Sequence, residues 1–97
     1  QAIKDFGEAT RRAIEAGFDG VEIHGANHYL IHQFVSPYYN RRNDVWANQY
    51  KFPVAVIEEV LKAKEAYGNK EFIVGYRLSP EEAESPGITM EITEELV

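Results

Sequence analysis

The amino-acid sequence predicts an α/β protein in which residues 1–97 form about two consecutive units of a (β/α)8 TIM barrel. Helical and extended patterns alternate strictly along the chain, and no hairpin turn joins the two extended segments. Such alternation is typical of a parallel sheet whose strands are connected by helices. An isolated two-stranded sheet is only marginally stable and a whole barrel needs about 250 residues, so a single barrel segment is the simplest interpretation. A doubly wound open sheet is the alternative, although neither strand-to-helix turn has a GxGxxG or GxxxxGKS/T pattern.

The first unit is predicted to be a helix followed by a short strand. Apolar residues recur at helical spacing from Ile3 to Ile14, and Gly17 is suited to a left-handed helix end. In the extended residues 21–24, period-two alternation separates the apolar side chains from Glu22 and His24. We therefore expect helices to cover the apolar face.

The middle of the chain is predicted to hold a short helix and then a long polar loop. Residues 30–35 are spaced as one or two helical turns, which Ser36-Pro37 ends. Residues 38–50 have no sustained period. Loops longer than about 12 residues are uncommon unless they have a function, so this loop is of interest.

The second unit repeats the order of the first. The pattern predicts a helix with Pro53 in its first turn, running to Tyr67 and capped by Gly68-Asn69. Residues 72–78 are predicted to form a buried strand, followed by an acidic loop over residues 81–87 and a third helix near Thr89 or Thr93. Because the chain begins and ends within helical patterns, we expect it to be an internal segment of a longer domain.

Composition indicates a globular protein and argues against several classes of partner. Hydrophobic residues make up 44% of the chain and charged residues 27%, and the net charge is −6 without a cluster of Lys and Arg. We therefore expect neither nucleic acid nor an anionic membrane as a partner. There is no cysteine, no apolar run of the roughly 18–20 residues that span a bilayer, and no signal-peptide pattern at the beginning. We expect a cytoplasmic protein.

The candidate chemistry lies just after the first predicted strand. His24 ends that strand and Asn27 follows three residues later, so their side chains could both donate to one oxygen atom of a ligand and stabilise charge that develops there. Tyr29 adds a phenol that could give its proton to a nearby carbon. These three residues are the candidate catalytic groups.

His24, His28 and His32 could alternatively be metal ligands. His24 belongs to a strand rather than to a helix, and there is no HExxH pattern and no carboxylate in register with the three histidines. We therefore predict no metal site, and we expect His28 and His32 to pack or to form hydrogen bonds within the loop.

Arg77 is predicted to end the second strand in the same layer as His24. An arginine in a barrel mouth is costly to bury unless it meets an anion or an electron-rich ring system. Pairing with Glu22 on the facing strand is the alternative, and both interpretations can hold together. Gly75, on the same face, would leave space for a flat group.

Two arginines of the long loop allow two interpretations. Arg41 and Arg42, with Asp44 and Trp46, could hold a ligand phosphate or could fix the loop through pairing of Arg with Asp. We favour the second, because oppositely charged side chains this close in a loop commonly pair.

The sequence also resembles the Old Yellow Enzyme family of flavin-dependent NAD(P)H oxidoreductases over nearly its whole length. The resemblance is carried by residues 16–27, by the residues Tyr29-Leu30-Ile31, Gln33-Phe34, Ser36-Pro37, Asn40, Arg42 and Asp44, and by residues 75–80. A pattern of this length with fixed spacing is far more specific than a lone glycine motif.

The resemblance implies an FMN-binding (β/α)8 barrel of which the chain covers roughly the third helix to the fifth strand. It also implies that His24 and Asn27 bind the substrate oxygen over the flavin, and that Tyr29 protonates the alkene. Arg77 would contact the flavin, and His24 is counted with it among the cofactor-binding residues. The implied activity is reduction of electron-poor C=C bonds of the enone type, with NADH or NADPH as the reductant.

The chain departs from the family pattern at two places. His28 stands where the family usually has Gly, and the segment after Asp44 is shorter than usual.

We expect a small-molecule substrate and a homo-oligomer. A non-catalytic, self-associating binding module is the alternative, as is part of a larger iron-sulfur flavoprotein of the dienoyl-CoA reductase type.

Overall fold

The computed structural model of the chain describes residues 1–68, 71–82 and 86–97. The elements follow in the order helix α1 (Ala2–Glu15), strand β1 (Gly20–Gly25), helix α2 (Leu30–Val35), a 3-10 helix (Val45–Ala47), helix α3 (Lys51–Tyr67), strand β2 (Ile73–Leu78) and helix α4 (Met90–Leu96). Strands β1 and β2 pair as a two-stranded parallel sheet. The prediction of an α/β chain with two parallel strands is therefore confirmed.

The chain forms two compact units, each built from two separate stretches of sequence. The first unit comprises Gln1–Ile23 and Val54–Tyr76, and the second comprises His24–Pro53 and Arg77–Val97. All four candidate site residues of the sequence analysis belong to the second unit.

In the first unit, α1 packs closely against α3 at a small residue. A Cβ atom at Gly7 would lie 2.9 Å from the Glu59 carboxylate, which ends a flexible side chain, and 3.6 Å from the Glu59 carbonyl oxygen. Helix α1 ends as predicted: Gly17 has a φ of +92°, and the backbone N–H groups of Gly17 and Phe18 donate to the carbonyls of Ile14 and Ala13. This is the Schellman arrangement, which satisfies carbonyls that would otherwise lack partners.

Burial along β1 follows the predicted alternation. Ile23 is only 4% exposed, whereas Glu22 and His24 are exposed. Gly20 faces β2 so closely that an added Cβ would lie 2.6 Å from the carbonyl oxygen of Ile73. The strand therefore begins at a position where the neighbouring backbone leaves no room for a side chain.

The second strand is less buried than the sequence predicted. It begins at Ile73 rather than at Phe72; Phe72 is 5% exposed, but the side chain of Ile73 is 66% exposed. The prediction of a buried strand was wrong for this chain, because its sheet has two strands and leaves one face of β2 without a covering element among the described residues.

The second unit contains α2, the 3-10 helix and α4. Three of its buried residues are polar, namely His32, Ser36 and Thr93. The buried apolar residues of this unit are Ala26, Ile31, Val35, Phe52 and Ile88. Helix α4 begins as predicted after Thr89, whose hydroxyl accepts a hydrogen bond from the N–H of Ile92. Buried polar groups such as these need partners. The hydroxyl of Thr93 donates to the carbonyl of Pro80, and His32 and Ser36 both contact Glu82.

Two predicted features fall partly outside the described residues. The cap at Asn69 and residues 83–85 of the acidic loop lie outside the described residues. Of the helices in the described ranges, none has the length and apolar character needed to cross a bilayer.

Candidate active site

The candidate site is built on the turn that joins β1 to α2. After β1 ends at Gly25, Ala26 is buried, and then Asn27 and His28 adopt left-handed backbone conformations with φ of 56° and 63°. Few residues other than glycine tolerate this region, and Asn is among the more tolerant. The two left-handed residues turn the chain back on itself, so that Tyr29 directly precedes α2.

This turn brings the rings of His24 and Tyr29 together. Their ring centroids are 5.0 Å apart, with the planes inclined at 47°. His24 is exposed and the Tyr29 side chain is 63% exposed, so both polar ends are open to a ligand. The exposed side chain of Asn27 lies on the same turn, and three hydrogen-bonding groups therefore surround one strand end.

A serine beyond the second strand holds the turn in place. The backbone N–H of Asn27 donates to the hydroxyl of Ser79, with the two atoms 3.0 Å apart. From the sequence, Ser79 is only one residue of the stretch 75–80 that carries the family resemblance. No local pattern could have shown its role, since the two partners are 52 residues apart.

Arg77 lies at the end of β2 and is exposed. A Cβ atom at Gly20 would fall beside Ile73 and one at Gly75 beside Glu22, so the same two-residue repeat places Arg77 next to His24. An added Cβ at Gly75 would meet only Glu22 Cγ at 3.9 Å and the carbonyl oxygen of Val21 at 4.0 Å. Packing among residues 1–68, 71–82 and 86–97 does not require glycine at position 75.

The buried carboxylate of Glu82 is the main polar feature that the sequence analysis missed. The Glu82 side chain is 2% exposed and the His32 side chain 1% exposed, with His32 Nε2 2.9 Å from Glu82 Oε2. The hydroxyl of Ser36 and the backbone N–H of Ile88 both donate to Glu82 Oε1. His32 is thus a buried packing residue, as predicted, and its partner lies in the segment that was interpreted as an acidic loop.

These contacts keep Glu82 ionised despite its burial. Desolvation alone raises the pKa of the carboxyl group, but hydrogen bonds from Ser36, His32 and the Ile88 N–H outweigh it and hold the pKa below its usual value. A carboxylate whose pKa is lowered in the folded state stabilises that state above the unfolded pKa, and the contribution is lost as the pH falls through the folded pKa.

We expect Glu82→Gln to lower the free energy of unfolding by about 2 kcal/mol at pH 7, because three donors lose a charged acceptor. The difference from wild type should shrink in acid, as the pH falls below 4.5, the ordinary pKa of a glutamate. Urea unfolding at pH 7 and at pH 3.5 measures both effects. The exposed neighbour Glu81 supplies the control: Glu81→Gln should change stability by less than about 0.5 kcal/mol. Equal losses in both variants would contradict this account.

The long loop is fixed by its own side chains, as favoured from the sequence. Arg42 pairs with Asp44, and the Asp44 carboxylate also accepts from the N–H of Trp46. The side-chain amide of Asn40 donates to the carbonyls of Phe34 and Trp46. The pairing of Arg42 with Asp44 is confirmed, so Arg42 has a structural role in this chain.

The fold and the site together are typical of α/β proteins that bind a ligand at the carboxyl ends of their strands. Exposed hydrogen-bond donors and a phenol gather at the carboxyl ends of parallel strands, where α/β proteins place their ligand sites. His24 and Arg77, both exposed, lie near the ends of the two paired strands.

The sequence model of the NADH:flavin oxidoreductase / NADH oxidase family matches residues 1–96, and the chain belongs to this family. Members of the family are built on a TIM barrel and use NADH and FMN. The resemblance to Old Yellow Enzymes is therefore confirmed.

Several curated relatives are similar to the chain. It is 60% identical over 98% of its length to the Bacillus subtilis (strain 168) protein named "Probable NADH-dependent flavin oxidoreductase YqiG", and covers 27% of that protein. It is 53% identical over 96% of its length to an NADH:acrylate oxidoreductase of Vibrio harveyi, covering 10% of it. With 12-oxophytodienoate reductase 1 of Oryza sativa subsp. japonica it shares 48% identity over 82% of its length and 21% of the relative. The chain thus spans between a tenth and about a quarter of these relatives.

Proposed function

We propose that the complete protein is an FMN-dependent oxidoreductase that uses NADH or NADPH to reduce electron-poor C=C bonds, of the enone type. The observation that carries this proposal is the packing of His24 against Tyr29, with ring centroids 5.0 Å apart, on the turn that also carries Asn27. Two hydrogen-bond donors and one proton donor then face the same strand end. In the proposed fold, the chain contributes roughly the third helix to the fifth strand of the barrel.

His24 and Asn27 are proposed to bind the oxygen atom conjugated to the double bond. Both side chains are exposed, and Asn27 is held in position by its backbone hydrogen bond to Ser79. Donors fixed in advance stabilise the negative charge that develops on a carbonyl oxygen when the β-carbon accepts electrons. The pair would thereby polarise the alkene and orient it.

Tyr29 is proposed to protonate the α-carbon of the same alkene. Its ring rests on His24, which limits its orientation, while its 63% exposure leaves the hydroxyl accessible. Proton donation by a positioned side chain typically contributes 10²–10⁴-fold to the rate. His24 would therefore serve two purposes, binding the substrate oxygen and orienting the phenol.

Arg77 and His24 are the residues proposed to hold the flavin in this part of the site. Arg77 is exposed at the end of β2, and the open space at Gly75 would let a planar ring approach the sheet. When bound, the flavin supplies the two electrons that the double bond accepts. The guanidinium group would bind its electron-rich edge.

The relatives suggest a narrower range of acceptors. One is named for acrylate, and an NADH:fumarate oxidoreductase of Klebsiella pneumoniae (strain 342) is 54% identical over 94% of this chain. Both compounds carry a C=C bond conjugated to a carboxylate. Such unsaturated acids are therefore a second group of candidate substrates beside enones. A cytoplasmic homo-oligomer that binds neither nucleic acid nor membrane belongs to the same proposal.

The proposal is tested on the purified complete protein. We expect it to carry bound FMN, to lose its flavin absorbance when NADH or NADPH is added without oxygen, and to regain it when cyclohexenone or fumarate follows. Regain with only one acceptor would decide between the two substrate groups. A colourless protein that takes up no FMN would refute the proposal and favour a non-catalytic binding module.

A further inference from the structure

We propose that His28, His32 and Glu82 form a binding site for a divalent transition-metal ion of the Zn²⁺ type. The ligand atoms that these three residues offer all lie within 4.8 Å of one another. All three belong to the second compact unit. The site is separate from the groups proposed to bind the alkene, and it does not depend on the proposed function.

The geometry of the three residues is close to what a metal requires. Glu82 Oε2 lies 2.9 Å from His32 Nε2 and 3.8 Å from His28 Nδ1. Ligands at about 2.0–2.2 Å from a tetrahedral Zn²⁺ are about 3.3 Å apart. One of these two separations is therefore shorter and the other longer than the ideal value, and the three ligand atoms together lie within 4.8 Å of one another. A small movement of the His28 ring, which is the exposed member of the set, would complete the fit.

The chemistry of the donors suits such an ion. Two imidazole nitrogens and one carboxylate oxygen are a ligand set that Zn²⁺ and its first-row neighbours accept, and the remaining position would be left to water. The Glu82 side chain is 2% exposed and that of His32 is 1% exposed, so two ligands are held firmly by their surroundings. His28, 45% exposed, provides the path of entry.

Metal binding at His32 would replace its hydrogen bond to Glu82. In the structure its Nε2 donates to the Glu82 carboxylate, while its buried Nδ1 has no hydrogen-bond partner among the described residues. Within the described part of the chain, no hydrogen bond at Nδ1 opposes a change of tautomer. A metal ion at Nε2 would replace a proton between the imidazole and the carboxylate, and the proton would move to Nδ1.

The backbone of His28 is left-handed, and its side chain lies near Tyr39 and Glu82. At a φ of 63° the residue lies in the left-handed region, where a side chain carries a conformational cost that glycine avoids. The Nδ1 atom of His28 lies 3.2 Å from the Tyr39 hydroxyl oxygen and 3.8 Å from Glu82 Oε2. In the metal-bound state the ion would take the place of the contact between Nδ1 and the Tyr39 hydroxyl.

The matched variant is His28→Gly, which removes one ligand and relieves the left-handed backbone. Zn²⁺ is titrated into wild type and variant by isothermal titration calorimetry, after treatment of both with a chelator. We expect one Zn²⁺ per wild-type chain, and affinity weaker by more than about tenfold in the variant. Zn²⁺ should also raise the thermal unfolding midpoint of the wild type and leave that of His28→Gly nearly unchanged.

A second variant separates this site from the exposed histidine on β1. His24→Gln should keep the wild-type Zn²⁺ stoichiometry and affinity, because His24 is not part of the ligand set. The proposal is wrong if wild type binds no Zn²⁺, if His28→Gly binds it as tightly as wild type, or if the loss follows His24→Gln. Each outcome is independent of flavin binding and of alkene reduction.

Discussion

Replacement of Tyr29 by Phe is expected to slow alkene reduction by about 10²–10⁴-fold, while flavin reduction by NADH or NADPH stays close to the wild-type rate. The variant keeps the aromatic ring that packs 5.0 Å from His24 and removes only the hydroxyl group. Proton transfer to the α-carbon would then depend on water. Removal of this one oxygen atom should therefore slow alkene reduction and leave flavin reduction unchanged.

Anaerobic stopped-flow measurement of flavin absorbance follows each half-reaction separately. Tyr67→Phe is a suitable control, because Tyr67 is 56% exposed, similar to Tyr29, and lies on α3 in the first unit. It should leave both half-reactions unchanged. If reoxidation by an enone were as fast in Tyr29→Phe as in wild type, Tyr29 would not be the proton donor.

Replacement of Asn27 by Gly is expected to lower kcat/KM for the alkene by about 10²–10³-fold, the usual effect of removing one donor from an oxyanion-binding pair. Glycine is the appropriate substitute because Asn27 has a φ of 56°, which glycine adopts without strain. The backbone N–H that donates to Ser79 is retained. The loss therefore reports on the side-chain amide and not on the shape of the turn.

Comparison with Asn27→Ala separates the two contributions. Alanine removes the same amide but adds strain of about 1 kcal/mol in the left-handed region, so only this variant should be less stable in urea. Both variants should lose the same kcat/KM with the alkene. If Asn27→Gly retained full activity and Asn27→Ala did not, the side chain would serve only the turn.

Local signals in the sequence were enough to predict most of the helix and strand boundaries. Gly17 has the left-handed conformation predicted for a helix end, Ser36 follows the last residue of α2, and Thr89 caps α4. Each of these features depends on residues within four positions of one another, so pattern and propensity can indicate them. The candidate site residues were placed at a strand end for the same reason.

The contacts that support the site could not be predicted in this way. Glu82 bonds to His32 and Ser36 across 50 and 46 residues, and no periodicity connects residues so far apart. The argument from the sequence against a metal site depended on the lack of a carboxylate in register with the histidines. The structure supplies one from the segment after β2, which is why that argument does not cover His28 and His32.

The segment after β2 has a consequence for engineering the protein. Ser79 holds Asn27, and Glu82, three residues further on, holds His32 and Ser36 at either end of the helical turn that follows. This short stretch therefore has two anchoring side chains, which fix the turn between β1 and α2 and helix α2 itself relative to each other. Insertions or grafted loops are best placed outside residues 79–82, because one added residue there would change the spacing between Ser79 and Glu82.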